Sequence, residues 1–185
     1  MTLANWVTFS RLLALPVLLY CLQNLTVETR WFSLAIFLVA AATDWLDGYL
    51  ARKLNSVTEL GKFLDPLVDK LLVLAPMLAL IELRQVHAWG VFLILARELT
   101  VAGWRVTPGL TGNTAVVGAN AWGKLKTVSQ VVAIALLIAP LPESWRLPSL
   151  IAFWTSVVLT WISGVIYFWP QGEQASRGAG EQGRV

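Results

Sequence analysis

Six apolar stretches dominate this chain, at roughly residues 9–23, 31–53, 62–82, 88–106, 122–140 and 148–169. A helix needs about 17–25 apolar residues to cross a hydrocarbon layer. Five stretches have that length, and the first reaches it if its helix begins earlier. Backbone amides in lipid find no water to bond, so a spanning segment must be an α-helix or part of a closed barrel. No strand alternation runs through these stretches. The expected fold is an all-α integral membrane protein with six transmembrane helices. Composition agrees, because 57% of the 185 residues are hydrophobic and only 14% are charged, against about 25% charged in soluble domains.

Residues 2–10 read differently from the spans. Leu3, Trp6 and Val7 are interleaved with Asn5, Thr8 and Arg11 at spacings near three and four. That pattern predicts a short amphipathic helix lying in the membrane interface ahead of the first span. It does not read as a cleaved leader: no basic residue precedes the apolar run and Arg11 interrupts it. Trp31, Trp89, Trp145 and Trp169 fall near span ends, where indole rings favour the headgroup zone. Cys21, the single cysteine, lies in an apolar run and can form no intramolecular disulfide. Residues 171–185 have no apolar periodicity and read as a disordered tail after one membrane domain over residues 1–170.

Orientation follows from the Lys and Arg residues near the span ends. Arg11, Arg52, Lys53, Lys62, Arg105, Lys124, Lys126, Arg177 and Arg184 fall on one side, and Arg30, Arg84 and Arg146 on the other. The expected protein is a multi-pass cell-membrane protein with both termini cytoplasmic. A net charge of +3 with no basic stripe gives no nucleic-acid surface.

Against this apolar background one polar string stands out: D-x2-D-G-x2-A-R-x8-G-x3-D-x3-D, formed by Asp44, Asp47, Gly48, Ala51, Arg52, Gly61, Asp65 and Asp69. Charges at membrane depth are costly and mark sites of chemistry or transport. On a helix, Asp44, Asp47, Gly48 and Ala51 share one face, and Asp65 and Asp69 share a face of the next helix. The short joining loop predicts antiparallel neighbours, with all four carboxylates at one depth near the cytoplasmic surface. Two ionised carboxylates 4 Å apart repel by roughly 4 kcal/mol at an effective dielectric of 20. Either some are protonated or cations neutralise them. Two divalent ions match four negative charges, and an all-oxygen ligand set suits Mg2+ or Mn2+. Gly48 and Ala51 leave room for a ligand to approach the helix backbone, and Arg52 can fork to phosphate oxygens.

The string resembles the signature of the CDP-alcohol phosphatidyltransferase family at every fixed residue and gap. Asn5, Thr8 and Arg11 are similar to the N-x-x-T-x-x-R start seen in that family. Arg97-Glu98, Arg105 and G-K-x-K-T at Gly123–Thr127, followed by Gln130, resemble its phosphatidylglycerophosphate-forming branch. The similarity covers most of residues 5–130. It implies that Asp44, Asp47, Asp65 and Asp69 ligate two metal ions and that Asp69 is the general base. It implies that Asn5, Thr8, Gly48 and Arg52 contact CDP-diacylglycerol, with Thr58 a further hydroxyl for that ligand. It also implies a homodimer.

The acceptor implied for that branch, sn-glycerol 3-phosphate, carries a phosphate of its own and needs a second cationic site. Arg97, Arg105, Lys124 and Lys126 are the candidates. Arg97 next to Glu98 reads equally as an ion pair tying helices together, and Lys124 and Lys126 equally as anchors on the cytoplasmic side. Two other readings stay open. The same family with another acceptor would make cardiolipin or an inositol phospholipid. A cation or proton transporter would also hold intramembrane carboxylates, although no internal repeat is visible here.

Overall fold

Each apolar stretch overlaps one helix. The computed structural model describes the backbone of residues 3–24, 26–54, 59–106 and 121–182, and side chains over 8–24, 26–43, 66–104 and 122–166 together with residue 64. The order is α1 (Leu3–Gln23), α2 (Val27–Leu54), α3 (Glu59–Glu82), α4 (Ala88–Val106), α5 (Ala121–Ile138), a 3-10 turn (Glu143–Trp145) and α6 (Arg146–Gln182). All regular structure among the described residues is helical. By length and composition, the segment Glu143–Ile166 is apolar and long enough to cross a bilayer, and Thr8–Gln23 is a shorter apolar helix.

Two boundaries differ from the sequence expectation. α1 is one continuous helix, with no break between an interfacial piece and a span. Nothing between Leu3 and Gln23 ends a helix except Pro16, which lies inside it. The backbone of α6 is helical through Gln182, where the sequence predicts no regular structure after residue 170. Propagating a helix adds one hydrogen bond per residue, so a well-packed helix readily extends into a polar continuation.

The turns explain the other ends. Thr26 caps α2, its Oγ1 accepting from the Thr29 amide at 3.2 Å. α3 closes with the Gln85 amide donating to Leu80 O and the Arg84 amide to Ile81 O, both at 2.9 Å. This is the Schellman pattern. It requires the left-handed conformation at residue 84, and Arg84 adopts it with φ of 54°.

The buried faces follow helical spacing. On α1, Thr8, Arg11, Leu15, Leu18 and Leu22 form one buried stripe at intervals of three and four. On α2, Ser33, Phe37 and Ala40 are buried, and positions 44 and 47 continue that stripe by spacing. On α3, Val68, Leu72, Pro76 and Ala79 are buried, and position 65 extends that row toward the start of the helix. α1 packs against both α2 and α3, whereas α2 and α3 touch each other only sparingly among the described residues. The short α2–α3 connection predicts direct neighbours, but α1 is wedged between them. Loop length limits how far apart two helices lie without forbidding a third from intervening.

α5 and α6 form the most extensive helix pair, and α4 packs on α6. Gly90 allows the α4–α6 contact: a Cβ there would lie 2.5 Å from Cε1 of Phe153. Phe153 is buried at 1% exposure and has little room to swing aside. Gly90→Ala is expected to destabilise the fold by about 1–3 kcal/mol through overpacking. A thermal melt in detergent with an unchanged midpoint would contradict the close approach.

Arg30 ties three elements together on the side opposite the aspartates. Its Nε donates to Ile138 O at 3.0 Å and its Nη2 to Leu137 O at 2.9 Å, at the C-terminus of α5. The Gln85 amide group, with its oxygen and nitrogen exchanged, donates to Leu137 O at 2.8 Å and accepts from Arg30 Nη2 at 3.2 Å. A guanidinium there satisfies end carbonyls and complements the helix dipole. Arg30→Met leaves those carbonyls without their cation. The expected loss is about 2–3 kcal/mol, the scale of a hydrogen bond to a charged group. An unfolding midpoint equal to that of the unmodified protein would refute this role.

The interior is mainly apolar with several polar side chains buried in it, and much of the outer surface is apolar too. Arg11, Ser33, Arg97, Gln130, Ser156, Thr160 and Ser163 are buried, while Leu13, Trp31, Val39, Leu78, Trp89, Phe92, Val132 and Ile151 stand exposed on all six helices. Trp31, Trp89 and Trp145, placed near span ends by the sequence, are among the exposed side chains. Cys21 is half-buried.

Candidate active site

Helix register brings the acidic positions to one level. Asp44 and Asp47 lie ten and seven residues before the end of α2 at Leu54, and Asp65 and Asp69 lie six and ten residues after the start of α3 at Glu59. At 1.5 Å per residue, both pairs sit roughly 9–15 Å from the shared α2–α3 turn. α1 runs beside both helices and adds Thr8 and Arg11 at the same end.

Asp69 is the acidic residue of the string whose side chain is described. Its carboxylate is 48% exposed, and Oδ1 lies 3.8 Å from Nη1 of Arg11, which is only 4% exposed. A buried guanidinium thus faces a carboxylate that remains open to a ligand. Arg11 is a residue to which the sequence reading gives no role beyond its place in the N-terminal pattern. The signal was present: Arg11 falls in a helix otherwise free of charge, three residues from Thr8 and four from Leu15. Thr8 is buried beside it at 4%.

The other expected metal ligands and donor-substrate residues divide in two. Asn5, Asp44, Asp47, Gly48, Arg52 and Asp65 have helical backbones in α1, α2 and α3, and their side chains lie outside the described residues. Thr58 lies outside them altogether. Among the residues whose side chains are described, no group of three or more acidic, His or Cys side chains is placed to hold a metal ion.

A second polar centre joins α4, α5 and α6. The Glu98 carboxylate accepts from Arg97 Nη1 at 3.2 Å and from Lys126 Nζ at 2.5 Å through the same oxygen. Arg97 Nη2 donates to Ser163 Oγ at 3.0 Å. Exposures of 9% for Arg97, 16% for Glu98 and 11% for Lys126 make this a largely buried group. One turn further along α5, Gln130 Nε2 donates to Thr160 Oγ1 at 2.8 Å. Lys124 is exposed, and the side chain of Arg105 lies outside the described residues. The structure therefore joins two of the four expected acceptor residues, Arg97 and Lys126, through Glu98. The ion pair of Arg97 with Glu98 lies within α4, and it is Lys126 that ties α5 to α4 through the same carboxylate.

The two centres lie at similar levels. α3 and α4 are joined by the tight turn at 83–87. Asp69 is thirteen residues before the end of α3, and Arg97 is nine residues after the start of α4. A rise of 1.5 Å per residue leaves them about 6 Å apart in height along the bundle.

Comparison with known proteins identifies the family. A protein from Bacillus subtilis (strain 168) named CDP-diacylglycerol–glycerol-3-phosphate 3-phosphatidyltransferase is 48% identical over 136 residues, which cover 72% of this chain and 69% of the relative. A protein of the same name from Rickettsia bellii (strain RML369-C) is 36% identical over 170 residues, 90% of this chain and 93% of that protein. A third of that name, from Salmonella choleraesuis (strain SC-B67), is 32% identical over 178 residues, 94% and 93% of the two chains. The family model for CDP-alcohol phosphatidyltransferase matches residues 1–166, a span holding both polar centres, and the chain belongs to that family.

Proposed function

We propose that this chain transfers the phosphatidyl group of CDP-diacylglycerol to sn-glycerol 3-phosphate, giving phosphatidylglycerophosphate and CMP. The relatives named for this reaction support it across nearly the whole chain. The observation that carries the chemistry is Asp69, a half-exposed carboxylate held beside a buried guanidinium at the level of the other three aspartates.

In this reading the acceptor hydroxyl oxygen attacks the phosphorus that bears the diacylglycerol. The new P–O bond forms as the bond to the CMP oxygen breaks, and the hydroxyl proton passes to the Asp69 carboxylate. Arg11 orients that carboxylate. Thr8, Asn5, Gly48, Arg52 and Thr58 border the CDP moiety. The donor set at Asp44, Asp47, Asp65 and Asp69 is all carboxylate, which fits hard divalent cations such as Mg2+ or Mn2+. Such ions, when bound, supply neutralisation of the pyrophosphate charge. Arg97 and Lys126, with Arg105 and Lys124 nearby in sequence, take the phosphate of the acceptor. The placement of Arg97 and Lys126 on one carboxylate supports that role, because it holds two cationic side chains side by side where a phosphate can bind.

The apolar outer surface supports a bilayer as the surroundings. Large apolar side chains exposed on every helix would be a poor surface in water, and the lipid substrate has to be reached from the membrane. With six spans and the positive-inside bias, the aspartates face the cytoplasm, where glycerol phosphate is dissolved.

The decisive assay is CMP release by purified protein offered CDP-diacylglycerol and a panel of acceptors. Release with sn-glycerol 3-phosphate is expected. Release only with phosphatidylglycerol or inositol phosphate would overturn the acceptor assignment while keeping the family chemistry.

A further inference from the structure

We infer that α6, which holds none of the aspartates or candidate acceptor cations, sets the enzyme's affinity for the acceptor by fixing Arg97, with Ser163 and Gly164 as positioning residues. This rests on the reading of Arg97 as a ligand of the acceptor phosphate.

The geometry is specific to three edges of one side chain. Nη2 donates to Ser163 Oγ at 3.0 Å, and Nη1 donates to Glu98 at 3.2 Å. The third nitrogen, Nε, is buried with no hydrogen-bond acceptor among the described residues. That edge is held by shape instead. A Cβ on residue 164 would lie 3.1 Å from Nε and 3.2 Å from Cγ of Arg97. Glycine is thus the residue that lets the arginine stem lie against the backbone of α6. Ser163, at 7% exposure, and Gly164 are themselves buried.

Consequences for binding follow. A guanidinium recognises phosphate through a planar fork, so its orientation matters as much as its charge. Glu98 alone leaves the fork free to turn about one contact. Ser163 adds a second fixed point, and Gly164 sets how deep the stem lies. α6 therefore acts through Arg97 and does not touch the acceptor.

The test compares Gly164→Ala, Ser163→Ala and Arg97→Lys in detergent-solubilised full-length protein, measuring both Michaelis constants, kcat and thermal midpoint. A small misplacement of a binding group can cost up to about 10²-fold. We expect KM for sn-glycerol 3-phosphate to rise roughly tenfold in Gly164→Ala and Ser163→Ala, with KM for CDP-diacylglycerol within about twofold. Arg97→Lys keeps the charge but loses the fork, and should raise acceptor KM at least as much. If Arg97→Lys raises acceptor KM while Ser163→Ala and Gly164→Ala do not, the positioning role is overturned alone. If Arg97→Lys leaves acceptor KM unchanged, the acceptor-site reading fails and this inference fails with it. If Ser163→Ala alters both Michaelis constants and the thermal midpoint together, α6 is a purely structural support. Ser163→Ala only removes an oxygen, so it keeps the test open even where Gly164→Ala does not fold.

Discussion

Asp69→Asn is expected to cut CMP release by about 10²–10⁴-fold, the usual contribution of a positioned general base. The amide keeps the shape of the carboxylate and still accepts a hydrogen bond, but it cannot take up the acceptor proton. It also removes the charge that faces Arg11 at 3.8 Å. Because the variant is nearly isosteric and residue 69 is 48% exposed, the fold should tolerate it. Binding of CDP-diacylglycerol, followed by its protection of the enzyme against thermal unfolding, should persist. Catalysis and binding should thus separate in this one variant. Turnover within about tenfold of the unmodified enzyme would remove Asp69 from the role of base.

Removal of divalent cations should have an effect of similar size. Exhaustive chelation is expected to lower CMP release by about 10³-fold or more, because charge stabilisation by a bound cation contributes several kcal/mol. Adding back Mg2+ or Mn2+ should restore it. Chelation should also change the thermal midpoint in the unmodified protein. Four carboxylates at one level repel once their counter-ions leave. Asp47→Asn would reduce that repulsion and should blunt the shift in midpoint. Full activity after chelation would contradict a metal-dependent reaction.

Much of the architecture was legible because a long apolar run without strand alternation favours a helix. Each of the six predicted stretches overlaps a helix, including the pair that carries the aspartates. The register of those aspartates was legible too, since spacing on a helix is arithmetic. The position of α1 was not. A wedge between two sequence neighbours is a tertiary fact, set by which buried stripes fit together, and the run of Leu15, Leu18 and Leu22 looks like any lipid-facing span. For the same reason Arg11 had a place in a pattern but no partner. The part played by α6 was hidden differently. Ser156, Thr160 and Ser163 are weakly polar residues in an apolar helix, and individually they resemble filler. Their spacing of four and three, beside Gly164, marks one face turned toward the interior. That face could have been recognised before the contacts were known.

The wedge of α1 also bears on where this enzyme can be divided. A cut between α1 and α2 would separate Thr8 and Arg11 from the two helices they join. The two pieces would have to find each other with the intervening slot closed. A cut within residues 107–120 would leave α1 to α4 as one piece and α5 to α6, the most extensive helix pair, as the other. Co-expressed fragments broken at the second place should reassemble more readily than fragments broken at the first. The chain is in this sense two modular halves, one carrying the aspartates and the other completing the seat of Arg97.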